Sequence, residues 1–456
     1  MATLPPHLEP ESFIGRPLKE LPTPALILSK PVMERNAEVV LEDVEKMGLG
    51  LRVHVKTLKS AEATKIATGN GKHKTVVAST LAEIRGLVPL AREGIVEEVA
   101  YGMPLPPSAL EEVGRLSQFV KIVLFVDHVE HIEVLERYCK GSEDGGAKKQ
   151  KWNVFIKVDA GYGRAGVPVS VSNAARNHSK RFEEVVRRVL KSEVVQVCGL
   201  YTHSGHTYGA KSQAYGGIDE EESVQDIMKD EVNTLLKAAE LLPEDGQFIL
   251  SFGATPQAHV VRALMNELGE KGRLRRGLRL ELHAGNFIAK DLQQVSTGCC
   301  CLEDQALRLL VEVCSVYPER NEVLVNGGRL ALTSEISPGF PGFGLAAGAS
   351  PAPGAKCREK TRAEGEKGRD SAGKWYVRKV SQEHGIMCPC PPPLSDNGAH
   401  GDGERAKVEA EESWSVGDKT LLYVSHACIT AAAHPWYYVV DKHDVVREVW
   451  RPWRGW

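Results

Sequence analysis

Several things are scarce in this chain of 456 residues, and each scarcity closes off a class of protein. Its formal net charge is only −3, from 57 Lys+Arg against 60 Asp+Glu. Without a basic excess or a long single-sign run, neither nucleic acid nor a membrane surface is implied as a partner. No apolar run approaches the length that spans a bilayer. The opening Met1-Ala2-Thr3-Leu4-Pro5-Pro6 lacks the basic and apolar regions of a secretory signal, so a cytoplasmic location is the expectation. Ten cysteines are too sparse for a disulfide scaffold of this length. Cys299-Cys300-Cys301 reads as part of a buried strand, where thiols behave as small apolar groups. Cys388-Pro389-Cys390 has no second pair nearby to complete a metal site. No Gly-x-Gly-x-x-Gly follows the first strand of the repeating region, which argues against an open dinucleotide-binding sheet.

What is present is a globular composition, 42% hydrophobic and 26% charged, in a chain long enough for two domains. Residues 1–20 form a Pro-rich arm, followed by a short strand over 24–28 and an amphipathic helix from about 31 to 47. Strands and helices then alternate, with strands beginning near Arg52, Thr75, Glu97, Lys121, Asn153, Val197, Phe248 and Leu278. Helical periodicity occupies 80–92, 169–190 and 220–242 between them. Eight strands in this rhythm predict a parallel (β/α)8 barrel, assigned to 21–295. Short β-rich runs follow at 306–317, 322–325, 421–425 and 436–440, so 296–456 is expected to be a mostly β domain. Residues 338–374 and 388–412 read as low-complexity insertions, and 141–150 as a smaller one.

In a barrel of this kind the reacting groups sit at the C-terminal ends of the strands. Leu51-Arg52-Val53-His54-Val55-Lys56-Thr57 ends on a lysine, which can serve as an amine nucleophile, a Schiff-base partner or a base. Later strand tips carry a glycine-rich loop with Arg164, and a run holding Tyr201, His203 and Tyr208. Gly253-Ala254-Thr255-Pro256 combines small residues, an N-cap candidate in Thr255 and a proline suited to the first helical turn. Such a turn favours a phosphate, and Gly285-Asn286 at the next tip is placed to close the same cup. A lysine and a phosphate site on one rim point to pyridoxal phosphate. In the β domain, His426 and Cys428 lie two apart; on a strand they would share a face and suit a soft metal such as zinc. His384 is a lesser metal candidate.

These stretches, together with Lys157-Val-Asp-Ala-Gly-Tyr-Gly-Arg-Ala-Gly-Val167, Glu281-Leu-His-Ala-Gly-Asn286, Asp291-Leu-Gln-Gln-Val-Ser-Thr297, Gln382-Glu-His-Gly385 and Ser425-His-Ala-Cys428, resemble the eukaryotic D-serine dehydratases. That family belongs to the alanine-racemase-like, fold-type III pyridoxal phosphate enzymes. The resemblance implies that Lys56 carries the cofactor and later removes the α-proton. It also implies that His426 and Cys428 bind zinc, that the product is pyruvate and ammonia, and that the chain forms a homodimer. Phe287 and Ser425 depart from the family pattern, which has tyrosine and asparagine there. The alternatives are a D-threonine aldolase or 3-hydroxyaspartate dehydratase of the same family, a racemase with a second base, or a non-catalytic pyridoxal phosphate carrier.

Overall fold

A computed structural model describes residues 9–141, 151–170, 178–210, 223–262, 274–347, 375–390 and 409–456. The small insertion expected at 141–150 lies almost wholly outside the described residues. The chain forms two compact units, one of Ala37–Gln213, Gly217–Phe287 and Trp453–Trp456, the other of Met1–Asn36 and Ile288–Pro452.

Strands appear first in the second unit, as β1 (Ala25–Ser29), and then in the barrel unit as β2 (Gly50–His54), β3 (Thr75–Ala78), β4 (Glu98–Pro104), β5 (Lys121–Val126) and β6 (Trp152–Asp159). The two-residue β7 (Val167–Pro168) is followed by β8 (Val195–Tyr201), β9 (Phe248–Phe252) and β10 (Leu278–Ala284). Apart from β7, which only fringes β6, the strands of this unit pair in parallel in the order β5-β4-β3-β2-β10-β9-β8-β6, and β5 pairs back onto β6. The sheet therefore closes as an eight-stranded parallel barrel, the architecture expected from the strand–helix rhythm. Helices alternate with the strands, including Ala61–Ala67, Leu81–Arg92, Lys180–Lys191 and Val224–Ala238. Their starts are written locally: Thr80 and Ser223 each accept a backbone N–H three residues on, and Asp226 completes a capping box with Ser223.

The barrel interior is not uniformly apolar. Val77, Ala100, Val123, Phe125, Phe155 and Tyr201 form one buried cluster. Arg52 is fully buried and is held by Glu281 at 2.7 Å and Glu98 at 2.6 Å. A buried guanidinium survives only when paired in this way. It also explains how a strand can alternate cleanly while carrying an arginine.

The second unit is built on β1 and on β11 (Leu307–Tyr317), β12 (Glu322–Val325), β13 (Gly344–Ala346), β14 (Trp375–Val380), β15 (Gly385–Pro389), β16 (Lys419–Val424), β17 (Tyr437–Val440) and β18 (Val446–Trp450). All pairings are antiparallel except β1 with β17, and β12 pairs with both β15 and β11. The strand at 24–28, expected ahead of the barrel, thus belongs to this sheet, because Ala25–Leu28 align on β11 and bury Ala25 and Ile27 against Leu310 and Tyr438. The units divide at Asn36 and Phe287 rather than at residues 20 and 295. The stretch 338–374 includes β13 between β14 and β16 near its start, and 388–412 begins within β15; the rest of the two expected insertions, 348–374 and 391–408, lies outside the described residues. Cys299-Cys300-Cys301 is not a strand: it follows the helix Leu292–Ser296 in a turn that Asp304 closes by accepting the Cys301 N–H.

Candidate active site

The barrel gathers its chemical groups at the ends of β2, β6, β8, β9 and β10. β2 stops at His54, and Lys56 stands in the turn that follows, where Lys59 N–H donates to Val55 O at 3.0 Å. From β8, Tyr201 is buried and lies flat on the His283 ring of β10, 4.2 Å between centroids at 11°. His283 is fixed at Nδ1 by Ser251 of β9 at 3.1 Å, whereas its buried Nε2 has no protein partner among the described residues. His203 bonds through Nδ1 to Gly253 O at 2.9 Å. Lys157 of β6 is buried beside this stack, its ammonium 4.7 Å from the Tyr201 centroid and 4.9 Å from that of Phe125.

Charge explains how these groups behave. Burial holds the His54 and His203 rings well below their ordinary values, and the positive charges of Lys56, Arg164 and Lys157 push the same way. His283 is held down likewise, by burial first and then by neighbouring cationic groups. Burial lowers the Lys157 amine to about 8, reinforced by Arg164. Neutral imidazoles among several cationic side chains make a basin that favours an anion. Glu231, buried on the helix Val224–Ala238, is pushed up to about 7 by burial, against hydrogen bonds led by that from Gln257.

The two turns expected to hold a phosphate, Gly253-Ala254-Thr255-Pro256 and Gly285-Asn286, lie side by side, with one difference from the expected capping. The short helix Thr255–Ala258 has Ala254 as its N-cap, and Thr255 makes no cap bond. Its hydroxyl instead accepts the Asn286 N–H at 3.1 Å, tying the two strand tips together. Gly253 has φ +138°, and a side chain there would overlap the His283 carbonyl, so only glycine fits. At Gly285 a Cβ would stand 2.9 Å from the His54 carbonyl. Arg164 is exposed and its guanidinium lies over the Tyr162 ring at 5.2 Å, while Tyr208 is half-buried in the 3-10 turn Gly205–Gly209.

A tightly folded set of strand tips with convergent positive charge, an unpartnered buried imidazole nitrogen and glycines where backbone must pass backbone fits pyridoxal phosphate, an anion with a polar heterocycle. Lys157, His283, Ser251 and Glu231 have roles in the site that local sequence does not announce. Lys157 and His283 lie within the strand-tip motifs, at inward positions of their strands. Glu231 carried no signal, being one acid among many on a helix.

In the β unit, β16 ends at Val424, so His426 and Cys428 do not share a strand face as the spacing suggested. His426 is the N-cap residue of the helix Ala427–Ala433, and Cys428 lies in its first turn. The two side chains still meet. Burial disfavours charge on the His426 ring, but the Cys428 sulfur and the Glu335 carboxylate outweigh it and raise the imidazole to about 9. His426 Nδ1 lies 2.5 Å from Glu335 Oε2, which leaves Nε2 as the ring nitrogen for a ligand. Asp291 pins the arrangement by accepting the Ala427 N–H at 2.8 Å and the Gln294 N–H at 3.0 Å. Ser425, where the related pattern has asparagine, buries an Oγ with no partner among the described residues. The negative groups beside His426 would also suit a metal cation once the ring gives up its proton, and the nitrogen and sulfur donors are soft. Among the described residues no group of three or more His, Cys, Asp or Glu forms a metal cage, so a metal here would rest on the pair. His384 stands in the β14–β15 turn, its carbonyl bonded to Ser381 N–H.

A closed parallel barrel with a strand-end lysine, followed by an antiparallel β unit, defines the alanine-racemase-like class of pyridoxal phosphate enzymes. Protein-family models agree: "Alanine racemase, N-terminal domain" matches residues 30–268 and "Putative serine dehydratase domain" matches 306–440. The D-serine dehydratase of Schizosaccharomyces pombe is 32% identical over 98% of this chain and 95% of its own length. That of Saccharomyces cerevisiae is 30% identical over 97% and 98%. Among solved structures, the D-threo-3-hydroxyaspartate dehydratase from Delftia sp. HT23 superposes with a TM-score of 0.73 at 21% identity, covering 96% of this chain and all of that one. The chain belongs to the family of the fungal D-serine dehydratases.

Proposed function

We propose that the protein is a pyridoxal phosphate- and zinc-dependent lyase that converts D-serine to pyruvate and ammonia. The observation that supports this reading is that Lys56, a cationic basin lined by imidazoles, and the two small-residue turns at Gly253 and Gly285 gather at strand ends of one barrel. Lys56 would hold the cofactor aldehyde; the Gly253–Thr255 turn with Gly285 and Asn286 would hold its phosphate. Arg164, Tyr201, His203 and Tyr208 would flank its ring. Bound there, pyridoxal phosphate supplies an electron sink for charge developing at the substrate α-carbon. Lys56 Nζ would serve as the base that takes the substrate α-proton. His426 Nε2 and Cys428 Sγ would hold zinc, which supplies a Lewis acid for the departing β-hydroxyl. The balance closes: D-serine loses one water on elimination and takes one up on hydrolysis, leaving pyruvate and ammonia.

The carbon–oxygen lyase assignment rests on the relatives' names and on the His–Cys pair, which a racemase or a cofactor carrier leaves without a purpose. The same reading carries a homodimer working in the cytoplasm. Among family members the alternatives are 3-hydroxyaspartate dehydratase and D-threonine aldolase. The test is a product assay with D-serine, D-threonine and D-3-hydroxyaspartate. Pyruvate and ammonia from D-serine support the reading; turnover of D-threonine alone, to glycine and acetaldehyde, contradicts it.

A further inference from the structure

Residues Trp453–Trp456 belong to the barrel unit, although the segment just before them lies in the other. They fasten onto two elements of the barrel at once. The Trp453 N–H donates to the Lys59 carbonyl at 2.6 Å, and an Arg85 guanidinium nitrogen donates to the Trp456 main-chain oxygen at 2.6 Å. The Trp453 indole is seated on Gly86, in the middle of the helix Leu81–Arg92, where an added Cβ would overlap the indole ring. Glycine is unfavourable in mid-helix relative to alanine, so a requirement for it implies a close neighbour. Here the neighbour is Trp453.

Lys59 is no ordinary anchor. It has φ +49°, a left-handed conformation that a side chain resists, and it ends the turn that contains Lys56. Both ends of the residue are restrained. Its ammonium pairs with the fully buried Glu83 at 3.2 Å, and Glu83 in turn accepts the Ser79 N–H at 2.7 Å. Its carbonyl is taken by Trp453. Ser60, the next residue, caps the helix Ala61–Ala67 by accepting the Ala63 N–H. The Val55–Lys59 turn is therefore clamped from the helix behind it and from the segment laid across it.

We propose that Trp453 is a positioning residue for Lys56: seated on Gly86 and bonded to Lys59, it straps the lysine-bearing turn in the conformation that presents Nζ to the cofactor aldehyde. The inference rests on Lys56 being the cofactor lysine, and the experiment separates the two. Holo-protein is stripped of cofactor and titrated with pyridoxal phosphate, following the lysine-linked absorption band against cofactor concentration and pH. Borohydride reduction and peptide mapping then identify the lysine labelled. Trp453→Ala is expected to weaken cofactor binding about ten-fold to a hundred-fold, the scale of a misplaced reacting group, and to move the pH at which the band changes. Trp453→Phe keeps a ring on Gly86 and should restore both. Gly86→Ala favours the helix but expels the indole, and should reproduce Trp453→Ala even if the latter folds poorly. Labelling of Lys56 in wild type with unchanged affinity and band pH in Gly86→Ala overturns the strap. Labelling of a different lysine in wild type overturns the Lys56 reading itself.

Discussion

The barrel unit and the β unit each hold a candidate centre, and they are built in opposite ways. The barrel basin collects residues from positions 54 to 286, none of them close neighbours in sequence except at the strand tips. Its rings are held neutral, and its charge is positive. The candidate metal pair falls within three consecutive residues, and Cys428 and Glu335 raise the pKa of its histidine. On the proposed reading, the first would take an anionic cofactor and the second a metal cation. A β-hydroxy amino acid needs both: an electron sink at the α-carbon and an acid for the hydroxyl.

The sharpest way to break this division of labour is at the barrel end. Lys56→Ala should lower turnover of D-serine by about a thousand-fold or more, since it removes a covalent anchor and a base together. It should also remove the lysine-linked absorption band. Cys428→Ala is expected to come next. Pyruvate formation should fall by roughly a hundred-fold or more with the loss of the metal, while the band stays. A loss of the band in that variant would blur the two centres into one. Glu335→Gln, which weakens the carboxylate acting on His426 Nδ1, should cost about 10- to 100-fold in metal affinity, read by equilibrium dialysis against zinc.

Acid stability separates the regions more gently. His54, His203 and His283 have folded-state pKa values below their unfolded ones, so unfolding takes up protons as the pH falls. Stability present above about pH 6.5 should therefore be lost on acidification. The slope of unfolding free energy against pH for cofactor-stripped protein should flatten by up to about 1.4 kcal/mol per pH unit in His203→Gln. An unchanged slope would mean that the ring is not buried neutral.

How much of this was legible in the sequence follows from the same contrast. The barrel could be read because its period is coarse: eight strand starts, each within a few residues of the observed one. Position at a strand tip then selected Lys56, Tyr201, His203 and Gly253 without knowledge of contacts. Lys157 and His283 were passed over because nothing local distinguishes an inward lysine over two aromatic rings from a solvated one; only closure of β5 onto β6 and of β10 onto β2 places them inside. The His–x–Cys pair was legible as a pair. Its geometry was not, because the strand ends two residues before His426 and a helix start brings the side chains together instead. The strand at 24–28 was visible, but its partner, β11, lies some 280 residues away, and local pattern carries no address.

The most direct test of the account is pyruvate release from D-serine by holo-protein treated with a chelator, then resupplied with zinc or with magnesium. Chelation should abolish pyruvate while leaving the lysine-linked band in place, and zinc should restore turnover where magnesium does not. Turnover indifferent to the chelator would contradict the metal role.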